Sequence, residues 1–182
     1  MPDYKQILAA VPSFLSLDIS VRGTGWVIWY GGELTWGRYS IQAEGEVERV
    51  AEFDSWLLQL IAGRSFAYCF VEDVIQSCNF LTVRALIALN CQLEMLIYRG
   101  EVAQPIAFHK CNNRSWKKDL RLTANMDVPT AGSEKDKVKE YLTALGVDID
   151  ELRAGKYNKK QVEDICDALG MALGTIHEHI IT

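Results

Sequence analysis

The sequence predicts an α/β domain: a mixed five-stranded sheet, three antiparallel strands followed by two parallel ones, with helices on both faces. Three observations carry this expectation. Residues 14–41 hold three short strand-like runs set off by glycine turns. The run FAYCFV at 66–71 is almost wholly apolar, the pattern of a strand buried on both faces. From residue 46 onward, helix-length segments alternate with strand-length ones, which suits strands that run parallel.

Residues 14–20 (FLSLDIS) alternate apolar with small or polar side chains, as a strand does. Gly23-Thr24-Gly25 is expected to form a turn, and the aromatic and β-branched run WVIWY at 26–30 a second strand. Gly31-Gly32 reads as a tight hairpin turn into a third strand over 34–41. In residues 46–62, Val47, Val50, Phe53, Leu57, Leu60 and Ile61 recur at helical spacing, and Gly63 supplies a stop. Residues 80–98 form a long helix that is apolar on most sides, expected to bury itself against the sheet or a partner. A fifth strand is expected over 102–108. Residues 109–132 are polar, basic and poorly periodic, and read as a loop or irregular arm. Ser133 caps a helix over 133–145 that ends at Gly146, and residues 160–180 form the last helix. With no internal repeat and no low-complexity linker, residues 1–182 read as a single domain.

Hydrophobic residues make up 49% of the 182 and charged ones 24%, ordinary globular usage that argues against wholesale disorder. Five scattered cysteines with no C-x-x-C pair argue against a zinc knuckle or a disulfide scaffold and for a reducing compartment. The charged first ten residues read as no signal peptide, and no segment is expected to span a membrane, which leads to a soluble, intracellular protein. The net charge of −5 counts mildly against nucleic-acid binding. Locally the balance reverses. Lys110, Arg114, Lys117, Lys118 and Arg121 fall in thirteen residues with one acid, Asp119, and Arg153, Lys156, Lys159 and Lys160 follow further on. A charge run by itself is as readily a solvated face.

Four carboxylates are the chemically telling residues. Asp18 sits in the middle of an apolar strand, where an ionised group is costly unless something pairs with it. Glu72 ends the buried fourth strand, at the rim where open α/β sheets bind ligands. Asp164 and Asp167 lie three apart and so share one helix face. Each has a plain reading as a solvent-facing acid. Together, with no cysteine–histidine set beside them, they suit hard divalent cations such as Mg²⁺, or Mn²⁺ in its place. Two such ions can activate a water and stabilise the leaving oxygen of a phosphodiester.

The segment L-D-I-S-x-x-x-T-G-W from Leu17, the strand end Val71-Glu72-Asp73 and D-x-x-D-A-L from Asp164 resemble, in order and spacing, the RuvC-like Holliday junction resolvases of the RNase H-like superfamily. That resemblance implies an RNase H-like nuclease domain in which Asp18, Glu72, Asp164 and Asp167 hold two Mg²⁺ ions. It also implies a homodimer, formed through the helix around 80–98, that nicks four-way DNA in pairs, since a junction has two-fold symmetry. The stretch from Gly132 to Val138 is similar to the family segment that brings a lysine to the scissile phosphate. Lys135 is the candidate for that role, with Lys117 or Lys118 as a second. The basic arm, with Lys110, Arg114, Lys117, Lys118 and Arg121, is expected to contact DNA. Phe80, just past the Glu72 strand, is a candidate wedge between bases.

The chain departs from the bacterial enzymes in its longer basic stretch at 109–132 and in its acidity, which leaves forks, flaps and other branched DNA open as substrates. A nuclease acting on RNA–DNA hybrid or structured RNA would use the same acids. Actin-like ATPases and sugar kinases share the opening motif but need a second copy of the fold, which 182 residues cannot supply. His177 and His179, two apart, do not face a common ion, and Trp26, Trp29 and Trp36 are expected to pack rather than stack on bases.

Overall fold

The computed structural model describes residues 3–74, 80–99, 107–126, 132–153 and 156–181. A capping box between Asp3 and Gln6 starts helix α1 (Tyr4–Ala9), an element too short for periodicity to announce. Strands β1 (Ser13–Ser20), β2 (Gly23–Tyr30) and β3 (Glu33–Ser40) follow as an antiparallel meander. Gly31 and Gly32 turn the second hairpin with φ of 62° and 83°, a backbone that favours glycine at both positions. After helix α2 (Glu46–Ile61), β4 (Tyr68–Glu72) pairs parallel with β1. After α3 (Phe80–Tyr98), β5 (Ala107–Cys111) pairs parallel with β4. The sheet order is β3-β2-β1-β4-β5, the predicted mixed five-stranded sheet.

Alternation along the strands divides the core in two. Phe14, Val27 and Phe70 point to one face and pack with α1, α4 (Asn113–Thr123), α5 (Glu134–Ala144), α6 (Ile149–Arg153) and α7 (Lys159–Ile176). Leu15, Leu17, Ile28 and Val71 point to the other and pack with Phe53 and Leu57 of α2 and Leu89, Leu93 and Leu96 of α3.

Two expectations are corrected. Gly23-Thr24-Gly25 is not the turn but the start of β2; the turn falls at Val21-Arg22. The glycines are there for a neighbour, because a Cβ on Gly25 would stand 2.2 Å from the backbone oxygen of Asp164. Second, the stretch from 109 is no irregular arm. His109 to Cys111 complete β5, and Asn112 caps α4, whose buried Trp116 and Leu120 lie one turn apart. The high charge of α4 hid that short apolar stripe. Residues 102–106 of the expected fifth strand lie outside the described residues. Helix α3, expected to be apolar on most sides, is long and apolar enough to cross a membrane by length and composition alone. In this fold it lays Ala85, Leu89, Leu93 and Leu96 on the sheet and leaves Phe80, Leu81, Ile87, Met95 and Tyr98 exposed.

Candidate active site

The face of β1 that carries Phe14 also carries Ser16 and Asp18. Ser16 is buried and donates through Oγ to the carbonyl of Ala168 at 2.7 Å, pinning α7 over the strand. On β4, Glu72 shares that face with Phe70. The last rung between the two parallel strands pairs Leu17 with Val71, so Asp18 and Glu72 are next to each other at the carboxyl ends of neighbouring strands.

Helix α7 brings Asp164 and Asp167 over this rim. Its N-terminus is fixed by a capping box of Asn158 and Gln161, and the missing side chain of Gly25 lets the backbone at Asp164 settle on the sheet. Further along, Gly170 and Gly174 accept α4 at close range: a Cβ on Gly174 would lie 2.7 Å from the backbone nitrogen of Leu120. This nesting of α4 on α7 carries Trp116 to the site. Its indole Nε1 donates to Glu72 Oε1 at 3.0 Å, and the Asn113 amide donates to the same oxygen.

Mutual repulsion marks the four acids as one group. Burial pushes the Asp18 carboxyl well above its ordinary value, and Asp167, Glu72 and Asp164 push it further, with Lys135 opposing. Asp167 is raised to about 6, first by burial; Lys117 and Lys135 oppose the rise, while Glu72 and Asp164 add to it. Asp164 is buried and paired, its Oδ2 accepting from Arg38 Nε at 2.8 Å. Among the described residues no three acid, histidine or cysteine side chains already close on one point as a finished metal cage. Glu72 and Asp164 are turned instead to protein donors. The donor set itself, four carboxylates and no thiol or imidazole, has the chemistry that suits a hard divalent cation.

The basic residues fall into separate places. Lys135, at the start of α5, has its Nζ 3.6 Å from Glu163 Oε2 and 3.9 Å from Asp164 Oδ1. Lys117 donates to Asn113 Oδ1 at 3.0 Å and lies 5.1 Å from the centre of the Trp116 ring. Together with Arg114, Lys118, Arg121 and Lys137 it lines a groove of about 280 Å³ between α4 and α5. Lys110 is elsewhere, bound to Glu94 of α3 at 2.7 Å. On the other side of the acids, a cleft of about 400 Å³ is lined by Asp18, Glu72, Arg22, Thr82 and Lys160. Phe80 is 75% exposed at the first turn of α3, and the preceding residues 75–79 lie outside the described ones.

Sequence reasoning missed Arg38, Asn113 and Trp116. For Trp116 a signal existed, the one-turn spacing to Leu120 behind the Asn112 cap. For Arg38 there was none, because its partner is 126 residues away. The three tryptophans of the meander pack, as expected: Trp29 and Trp36 donate to the carbonyls of Val11 and Leu152, both at 3.1 Å, and Trp26 lies against Gly37. His179 hydrogen-bonds Asp119 at 2.9 Å.

No family model and no curated protein matches the sequence. Solved structures do match the fold. Thermus thermophilus RuvC in complex with a Holliday junction substrate has a TM-score of 0.59 at 11% identity, over 90% of this chain and 91% of that one. Thermus thermophilus RuvC in a second structure gives 0.57 at 13%, over 89% and 92%. The yeast mitochondrial Holliday junction resolvase Ydc2 gives 0.64 at 13%, over 95% and 82%. The mixed sheet and its covering helices are thus the RuvC-like fold across nearly the whole chain.

Proposed function

We propose that this chain is a structure-selective endodeoxyribonuclease that resolves four-way and other branched DNA junctions by metal-dependent phosphodiester hydrolysis. The observation that carries the reading is the convergence of Asp18 from β1, Glu72 from β4 and Asp164 and Asp167 from α7 at one rim of the sheet, close enough for the other three to raise Asp18. Four acids that repel one another next to lysines have little structural use, whereas they can hold divalent cations against phosphate. The shared fold with proteins solved as Holliday junction resolvases supports the choice of substrate.

Two Mg²⁺ ions, or Mn²⁺, held by these acids would supply the charge that activates a water and stabilises the leaving oxygen. The chain's own residues do the rest. Trp116 and Asn113 fix the orientation of Glu72. Lys135 and Lys117 flank the acids, where an ammonium group can meet a phosphate oxygen. Arg114, Lys118 and Arg121 extend that positive surface along the groove, so that phosphates of one arm can lie in it. A second copy of the chain would cover the apolar residues left exposed on α3, giving two acid clusters for paired nicks.

Labelled four-way junction, fork, flap, RNA–DNA hybrid and linear duplex, each incubated with Mg²⁺, test the proposal. Cleavage should favour the four-way junction and disappear in Asp18→Asn and Glu72→Gln while junction binding stays nearly intact. Preference for the hybrid would move the activity to RNA, and cleavage surviving either substitution would displace the site.

A further inference from the structure

Arg38 belongs to the edge strand β3, yet it reaches the acids. The sheet register explains how. Asp18, Gly25 and Arg38 form one rung across β1, β2 and β3, so all three present the same face to α7. Gly25 leaves a gap in the middle of that rung, and the backbone of Asp164 fills it. Arg38 crosses the gap to donate from Nε to Asp164 Oδ2 at 2.8 Å, and its Nη1 is held by Ser40 Oγ. Gly23 keeps the path open, since a Cβ there would stand 2.4 Å from Arg38 Nη2. Both charged side chains are 11% exposed. Lys135 Nζ approaches the other oxygen of Asp164 at 3.9 Å.

Asp164 therefore differs from its neighbours. Among the described residues, Glu72 receives neutral donors, the indole of Trp116 and the amide of Asn113, whereas Asp164 already has a buried guanidinium. A guanidinium stays charged at every working pH and presents a rigid fork, so it is a permanent counter-charge. Arg38 occupies Oδ2 alone, so a divalent cation that reaches Asp164 through Oδ1 must sit beside this fixed positive charge, which opposes it.

We propose that Arg38 is a positioning residue that withholds Asp164 from metal in the DNA-free protein, so that the acids take one divalent ion tightly, through Asp18, Glu72 and Asp167. A second ion binds well only when the Arg38–Asp164 bond is given up. This rests on the reading above that the acid cluster holds divalent cations.

The test is a Mn²⁺ titration of the full chain without DNA, followed by calorimetry and by the electron paramagnetic resonance of free Mn²⁺, with circular dichroism to confirm folding. The wild type should bind one tight ion, and Asp18→Asn should lose it. Arg38→Gln should gain a second ion, tightened about tenfold or more over the wild type, while Arg38→Lys should stay at one. Asp164→Asn should keep the single tight ion, and combining it with Arg38→Gln should cancel the gain. Equal stoichiometry and affinity in wild type and Arg38→Gln, with Asp18→Asn inactive in binding, would overturn the role of Arg38 and leave the metal reading standing. Loss of the tight ion in Asp164→Asn would overturn it equally. Absence of bound Mn²⁺ in the wild type would overturn both.

Discussion

The indole Nε1 of Trp116 donates to Oε1 of Glu72 at 3.0 Å, joining a helix that sequence periodicity concealed to the acid at the end of β4. Trp116 is 2% exposed and also packs against Gly170, so it both builds the core and orients a carboxylate. Trp116→Phe keeps most of the packing and removes the donor. Partners that orient metal-binding side chains are worth about 10- to 100-fold in activity, so single-turnover junction cleavage should slow by about tenfold or more. A rate equal to wild type would show that Glu72 needs no help from the indole.

The raised acids make stability depend on pH in a defined direction. The ordinary aspartate value is 3.8, and that of Asp167 in the fold is about 6, so the folded state binds this proton more tightly than the unfolded chain. The repulsion is fully present above about pH 6 and is relieved as pH falls toward 3.8; Asp18, also raised, acts in the same sense. In chelator-treated protein, the melting temperature of the wild type should gain on that of Asp18→Asn as pH is lowered from 7.5 to 5. At pH 7.5 Asp18→Asn should be the more stable of the two, by about 2–4 °C for each kcal/mol of repulsion removed. Parallel melting curves across that range would contradict the charge cluster.

Lys117→Ala with Lys118→Ala should weaken junction binding and flatten its salt dependence, by about 0.9 in the log–log slope for each phosphate no longer neutralised. Lys110 points to Glu94 on α3 instead of the α4–α5 groove, so Lys110→Ala should leave the slope unchanged. Filter binding between 50 and 200 mM salt, roughly the range over which such charges are screened, separates the two results.

Ile87 is 48% exposed on the free side of α3. In the dimer proposed above this face is covered by the second copy, so Ile87→Glu should leave the far-ultraviolet spectrum alone and give a monomer in light scattering where the wild type gives a dimer. A variant that remains dimeric would move the interface to another surface.

Gly25→Ala should be severe for its size. The added methyl would stand 2.2 Å from the carbonyl oxygen of Asp164, a backbone atom with little freedom to yield. Overpacking of this kind costs about 1–3 kcal/mol, and the shift of α7 it forces should also reduce cleavage. Normal activity and melting temperature would mean the helix can ride higher without loss.

How much of this was legible in the sequence follows from where each signal resides. The alternation of β1, the apolar run of β4, the span of α3 from Phe80 to Tyr98 and the Ser133 cap are local patterns, and each appears where expected. Asp18 and Glu72 stand out as charge within or at the end of apolar strands, whereas Asp164 and Asp167, an ordinary pair on a helix taken alone, gain weight only beside the other two and the family resemblance. What stayed hidden depends on partners far away in the chain. Glycines at 23 and 25 look like a turn until the Arg38 side chain that passes Gly23 and the helix that rests on Gly25 are known, and Arg38 looks like any strand-edge cation until Asp164 arrives. Helix α4 was concealed because its charges outweigh Trp116 and Leu120, which matter only against Gly170 and Gly174.

The bond from Ser16 to Ala168 spans 152 positions, and α7 is what roofs the acids of β1 and β4. During synthesis on the ribosome, therefore, the meander and both parallel strands can be complete while the cluster of four acids is still half built. Asp18 and Glu72 must wait, without Asp164 or Asp167, for a helix that follows them far along the chain. Pairings of such long sequence separation also form slowly, so folding should end with the docking of α7. The metal-dependent cutting proposed for these four acids would thus become possible only after α7 has docked on the sheet.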